Sequence, residues 1–215
     1  MLIKDINVFD EEKAELAIAN KEVIEFASKT IVLASASITR RRIMEEESIP
    51  FVVVKNTLDE EKIKCDITTS ESAEEYVKLL AYEKAMTIKP YLKNAIIISA
   101  DTIAYCDGEK IGKPKDEADA YRILNKLSGS VHSVITGVCI INDDDIKNFT
   151  VTSKITMKEF PKDKIDELVK NEKTYLYAGG YCVDDNIEGY AIYEDKDFNN
   201  IKGLPIEEIR ELIKC

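Results

Sequence analysis

The chain has 215 residues, enough for one large domain or two small lobes sharing a core. Its formal net charge is −11, from 41 acidic and 30 basic residues, which argues against a nucleic-acid duplex as the main partner but leaves room for a small anion met by a local basic cluster or a metal ion. No apolar run reaches membrane-spanning length, the start Met1-Leu2-Ile3-Lys4-Asp5 lacks signal-peptide features, and five scattered cysteines (65, 106, 139, 182 and 215) without a C-x-x-C pattern suit free thiols in a reducing cytoplasm.

Residues 11–28 place Ala14, Ala17, Ile18, Ile24 and Ala27 at helical spacing, which predicts an amphipathic helix. Residues 31–35 read as a short apolar strand running into Ser35-Ala36-Ser37. A helix carrying Arg40, Arg41 and Arg42 follows. Small hydroxyl residues at a strand-to-helix turn let backbone N–H groups and the helix dipole meet an anion. Basic residues at a helix start oppose that dipole, so this turn points to phosphate contact; the alternative is a solvated basic patch. Residues 51–54 predict a strand, and Leu58-Asp59-Glu60-Glu61 an acidic loop. Residues 70–88 predict a helix capped by Ser70, with Val77, Leu80 and Lys84 on one stripe. A lysine on such a stripe either snorkels past the helix end or points into a cleft.

Residues 95–100 read as a buried strand that ends on Asp101, with Thr102 next. A bare carboxylate is expensive to bury unless it meets a cation or a metal. Asp107-Gly108 predicts a hairpin turn; Lys113 and Pro114 follow, and a helix opens near Lys115 with acids in its first turn. An acid at a strand end and a lysine one hairpin later suit a metal-bound polyphosphate. Residues 131–141 and 149–157 predict two long strands around the polar turn 142–147. His132 reads as a strand residue partnered locally, because no second imidazole or cysteine cluster completes a metal site. A surface helix over 161–171, a glycine-bearing loop over 175–185 and a closing helix over 206–214 complete a mixed α/β pattern.

These residues carry a family resemblance. L-A-S-A-S at Ser35, E-K-A at Lys84, A-D-T at Asp101, G-x-x-x-G-K-P at Lys113, L-S-G-x-x-H-x-V-x-T-G-V at His132, then A-G-G-Y and G-L-P-I-E, together resemble the Maf family, with spacings in the order expected. That family consists of nucleoside triphosphate pyrophosphatases once linked to septum formation. The resemblance runs from about residue 30 to the end and leaves 1–29 as an N-terminal helical extension. It implies an α/β fold, similar to the ITPase-like proteins, with a twisted mixed sheet forked into two lobes around a nucleotide cleft. It implies hydrolysis between the α- and β-phosphates, giving monophosphate and pyrophosphate, with pyrimidine or modified triphosphates the substrates and dTTP and UTP the leading candidates. Asp101 and Glu60 would hold Mg²⁺ or another divalent cation such as Mn²⁺ and orient water. Lys84, Lys113 and Arg40 would neutralise the phosphate chain, and Ser35, Arg42, Thr102 and Asp184 would contact the substrate. The triphosphate is the implied partner, without nucleic acid or membrane, and a homodimer is compatible with it. A P-loop enzyme is disfavoured, since no G-x-x-x-x-G-K-[ST] occurs.

The chain departs from the family pattern at two places. The family's L-A-S-x-S-P-R-R meets Ile38 in place of proline and Thr39 in place of the first arginine. Arg42, one turn beyond Thr39, could reach the same place. Asp184 and Asp185 stand where glutamine and glycine are usual. Glutamine donates and accepts while an aspartate only accepts, so the departure bears on base selectivity and on the positioning of water; the alternative is that both aspartates are simply loop residues. Two rivals follow: a related house-cleaning pyrophosphatase for deaminated purine nucleotides, and a nucleotide-binding regulator of cell division without turnover.

Overall fold

Parallel pairing around one ten-residue strand, Ile24–Leu33, builds the first part of the fold. The computed structural model describes residues 1–60, 63, 72–193 and 198–213. In chain order its elements are β1 (Leu2–Ile3), α1 (Glu11–Ala19), β2 (Ile24–Leu33), α2 (Ile38–Glu46), β3 (Val52–Val53), α3 (Ala73–Ile88), β4 (Leu92–Cys106), β5 (Glu109–Ile111), α4 (Glu117–Leu127), β6 (Val131–Asn142), β7 (Asp145–Met157), α5 (Lys162–Lys170), β8 (Ala191–Tyr193), α6 (Phe198–Ile201) and α7 (Ile206–Ile213). The sheet is mixed, with hydrogen-bonded order β1-β2-β4-β6-β7-β8, β3 beside β2 and β5 beside β4. The fold is therefore mixed α/β. Two compact units divide the chain: Met1–Asp101, Gly137–Thr150 and Ile206–Cys215 form one, Thr102–Thr136 and Val151–Pro205 the other. Ser70, Glu61, Cys65, Lys214 and Cys215, all named above, lie outside the described residues.

In the first unit β1, β3 and β4 all pair parallel with β2, with Ile3 opposite Phe26, Val32 opposite Val52 and Ile97 opposite Val32. Its core gathers Ala14, Ala17 and Ile18 of α1, Ile24, Phe26 and Val32 of β2, and Ala81, Ala85 and Ile88 of α3. Burying one such large aliphatic side chain contributes about 1.5–3 kcal/mol. The helix expected over 11–28 stops at Ala19, where Asn20 caps it and Lys21 takes a φ of 60°. Beyond that point Ile24 and Phe26 are buried and Glu25 is exposed, the period of two that a strand requires. The N-terminal segment thus supplies a helix and half of β2.

Helix α3 is capped by Ser72, whose Oγ accepts from the Glu75 N–H at 3.1 Å. Gly137 of β6 lies against this helix: a Cβ built there would meet the Val77 carbonyl carbon and oxygen at 2.3 Å. Only glycine allows that approach. Gly137→Ala is expected to push α3 off β6 and lower the unfolding midpoint by an amount matching about 1–3 kcal/mol, the cost of overpacking a core. Urea unfolding of the variant checks this; an unchanged midpoint would contradict it.

In the second unit, residues 102–106 of β4 turn back into β5 through Asp107 and Gly108, both at positive φ (49° and 80°) as a tight hairpin demands. Asp101 was expected at a strand end, but β4 runs on to Cys106 because its far half pairs with β5. The turn expected over 142–147 is shorter, since β6 reaches Asn142 and β7 starts at Asp145. Helix α4 opens on Asp116, whose side chain accepts from the Asp119 N–H at 2.8 Å, and it buries Ala120, Ile123, Leu124 and Leu127. These pack with Ile165, Leu168 and Val169 of α5 and with Val134, Ile155 and Met157.

His132 is buried in this second core. Its Nε2 lies 2.7 Å from the Tyr181 hydroxyl and its Nδ1 3.2 Å from the Ser130 hydroxyl. The expectation of a locally partnered strand residue is met. Burial lowers its pKa from 6.5 to about 4. The unfolded chain therefore binds a proton that the folded ring refuses between those values. This contribution to stability is complete above pH 6.5 and is lost as the pH falls toward 4, by up to about 3 kcal/mol. Urea unfolding from pH 7 to pH 4 checks it, and His132→Gln is expected to flatten the dependence.

Candidate active site

The site begins with the way β4 and α3 are tied together. Ser99, fully buried, donates its hydroxyl to the Ala81 carbonyl at 2.5 Å, locking the strand to the helix. One turn along α3 stands Lys84, and two residues along β4 stands Asp101. The Lys84 Nζ donates to Asp101 Oδ1 at 2.5 Å and lies 2.9 Å from Glu60 Oε1. The side chains of Lys84 and Asp101 are 8% and 13% exposed, while Glu60 is 40% exposed, so the cluster is closed on one side and open on the other. Burying the ammonium requires this pairing. Of the two alternatives for a lysine on that stripe, snorkelling is excluded.

The loop carrying Glu60 is held by two tethers. Asn56 Nδ2 donates to the Ala34 carbonyl at 3.1 Å, and the Thr57 N–H donates to Thr87 Oγ1 at 3.2 Å. Both anchors belong to elements that also bear site residues. Thr87 sits on α3, and Ala34 precedes the Ser35 turn.

At that turn Ser37 caps α2, its Oγ accepting from the Arg40 N–H at 3.3 Å, while the Ser37 N–H donates to Ser35 Oγ at 3.1 Å. Arg40 Nη1 donates to the same Ser35 oxygen at 3.3 Å. Desolvation lowers the Arg40 pKa, and the charges of Asp101 and Glu60 oppose that shift, so the guanidinium lies within electrostatic reach of the two carboxylates that pair with Lys84. Ser35, Arg40, Glu60, Lys84 and Asp101 thus form one constellation inside the first unit. The neighbouring arginines have other recorded partners: Arg41 makes a two-oxygen contact with Glu11 of α1 (2.8 and 2.7 Å), and Arg42 pairs with Glu46 along α2 at 3.6 Å.

Thr102, Lys113 and Asp184 belong to the second unit. Thr102 Oγ1 and Thr136 Oγ1 lie 3.0 Å apart in a hydrogen bond. Lys113 is exposed between β5 and α4. Asp184 Oδ1 accepts from the Cys182 thiol at 3.0 Å, and its Oδ2 lies 3.6 Å from the Lys202 Nζ. Sequence reading missed Ser99, Asn56 and Thr87, which place the charged groups. A lone serine inside an apolar run was the one available signal for Ser99. The tethers at Asn56 and Thr87 join residues far apart in the chain and left none.

Two carboxylates sharing one ammonium, with an arginine beside a hydroxyl-lined helix start, set two acids and two cations together on an α/β fold. A family model described as Maf-like protein matches residues 30–215, and the chain belongs to that family. A dTTP/UTP pyrophosphatase of Clostridioides difficile is 35% identical over 191 residues, covering 86% of this chain and 93% of its own length. The dTTP/UTP pyrophosphatase of Pyrococcus abyssi is 36% identical over 188 residues, with 86% and 95% covered. A nucleoside triphosphate pyrophosphatase of Chlamydia muridarum is 32% identical over 191 residues, with 85% and 92% covered.

Proposed function

We propose that this chain is a nucleoside triphosphate pyrophosphatase acting on pyrimidine triphosphates, the class its relatives are named for. The observation that carries the reading is the convergence of Glu60 and Asp101 on Lys84, with Arg40 held on Ser35 at the neighbouring helix start. The carboxylates hold a water and take its proton as its oxygen bonds to the α-phosphorus. The bond from that phosphorus to the bridging oxygen breaks, and pyrophosphate leaves with it. Lys84 and Arg40 offset the charge that gathers on the phosphate oxygens, and the Ser35 turn positions the chain. Thr102, Lys113, Arg42 and Asp184 are assigned to substrate contact on the family resemblance.

The donor set fits a hard divalent cation. Two carboxylates, one of them 40% exposed, leave positions for phosphate oxygens and water, as Mg²⁺ and Mn²⁺ prefer. Glu60 and Asp101 would hold the ion, which supplies polarisation of the phosphoryl group and a more acidic water. Cys106, Cys139 and Cys182 are buried free thiols, which supports a reducing compartment. Among the described residues no helix is long and apolar enough to cross a membrane. A panel of ordinary nucleoside triphosphates, each assayed for pyrophosphate with and without Mg²⁺, tests the reading. Release that needs the metal and favours UTP and dTTP is expected. Equal turnover without metal, or a purine preference, would contradict it.

A further inference from the structure

Two acids of α1 reach the two segments that carry Arg40 and Glu60, although α1 lies before residue 30, where the family match begins. Glu11 and Glu15 stand four residues apart on one helix, so they share a face and their like charges oppose each other. Each meets a cation from another segment. Arg41 Nη2 donates to both Glu11 oxygens, at 2.8 and 2.7 Å, and the Lys55 Nζ lies 2.8 Å from Glu15 Oε1. A hydrogen bond to Glu15 raises the Lys55 pKa, the Glu11 charge adds to the shift and Arg41 opposes it, so the four charges act as one group. The opposite side of α1 is fixed. Ala14, Ala17 and Ile18 are buried in the core of the first unit, and Asp10 caps the helix by accepting from the Lys13 N–H at 3.0 Å.

Both cations border site residues. Arg41 follows Arg40 on α2, and neighbours on a helix point about 100° apart. One arginine therefore turns to α1 while the other donates to Ser35 Oγ. Lys55 stands between Val54, whose N–H donates to the Leu33 carbonyl at 3.1 Å, and Asn56, which donates to the Ala34 carbonyl. That run leads into the loop bearing Glu60. We propose that Glu11 and Glu15 are positioning residues for the triphosphate centre: through Arg41 and Lys55 they fix the start of α2 and the run into the Glu60 loop, and with them the places of Arg40 and Glu60. The inference rests on the triphosphate reading above. The two pairs divide the task. Glu11 acts on Arg40, which offsets phosphate charge, and Glu15 acts on Glu60, which holds the attacking water.

The test is steady-state pyrophosphate release from UTP by the full-length protein with Mg²⁺, with a melting curve for each variant. Glu11→Gln is expected to raise KM by ~10-fold with a smaller change in kcat, and Glu15→Gln to lower kcat by ~10-fold with a smaller change in KM. All four side chains are 34–49% exposed, and ion pairs of that kind add little stability, so melting temperatures should stay near the wild type's. Lys55→Met is expected to reproduce Glu15→Gln, and Lys55→Arg, which keeps the ion pair, to retain the wild-type kcat. Wild-type constants in Glu11→Gln, Glu15→Gln and Lys55→Met overturn the inference and leave the functional reading standing. Losses that move kcat and KM alike and follow a fall in melting temperature also overturn it, since α1 would then serve stability alone. No pyrophosphate from any triphosphate with the wild type overturns both.

Discussion

Asp101→Asn is expected to lower kcat by ~10²–10³-fold, the loss typical of one well-placed electrostatic group, with a smaller loss of stability than Lys84→Met. The asparagine keeps the shape of the side chain and an oxygen for the Lys84 ammonium, which now donates to Asp101 Oδ1 at 2.5 Å. It cannot hold a metal ion as a carboxylate does or take a proton from water. Asp101 is 13% exposed and its charge is the nearest partner of the buried Lys84 ammonium, but Glu60 still faces that ammonium in the variant, so the loss of stability is expected to be smaller than for Lys84→Met. Turnover at saturating Mg²⁺, with a melting curve alongside, checks the split. Near-normal kcat would remove Asp101 from the chemistry, and a large fall in melting temperature would make it a structural residue instead.

Lys84→Met is expected to damage both activity and fold. Methionine fills the same volume, but it leaves Asp101 and Glu60 facing each other without the ammonium between them. Breaking a buried pair costs more than the pair contributes, and the 40% exposure of Glu60 brings the expected loss down to about 1–3 kcal/mol. The phosphate chain also loses its buried cation, so kcat/KM should fall by ~10²-fold or more. Added Mg²⁺ is expected to recover part of the stability, because a divalent ion can sit between the two acids, and none of the phosphate contact. A variant as stable as the wild type without metal would show that the two carboxylates do not converge on Lys84.

The sequence made this centre visible to different degrees. Lys84 could be found because it breaks an apolar stripe, and Asp101 because it follows a run of six apolar or small residues. Both signals are local. The length of β4 was not legible, since what extends it past Asp101 is pairing with β5. The helix expected over 11–28 failed because Ile24-Glu25-Phe26 fits both periods, and the strand partners β1 and β4 decide between them. The partner of Arg41 could not be read either: Glu11 lies 30 positions away, before the family match begins. Gly137 was visible as a residue of the T-G-V block, but its close approach to α3 depends on how the two elements pack.

The most direct measurement is the product balance from UTP in the presence of Mg²⁺. Attack at the α-phosphorus by water held on Glu60 and Asp101 predicts UMP and pyrophosphate in equal amounts, with the Asp101→Asn variant losing both together. UDP and inorganic phosphate as the products would place the cleavage at the γ-phosphate and contradict the account.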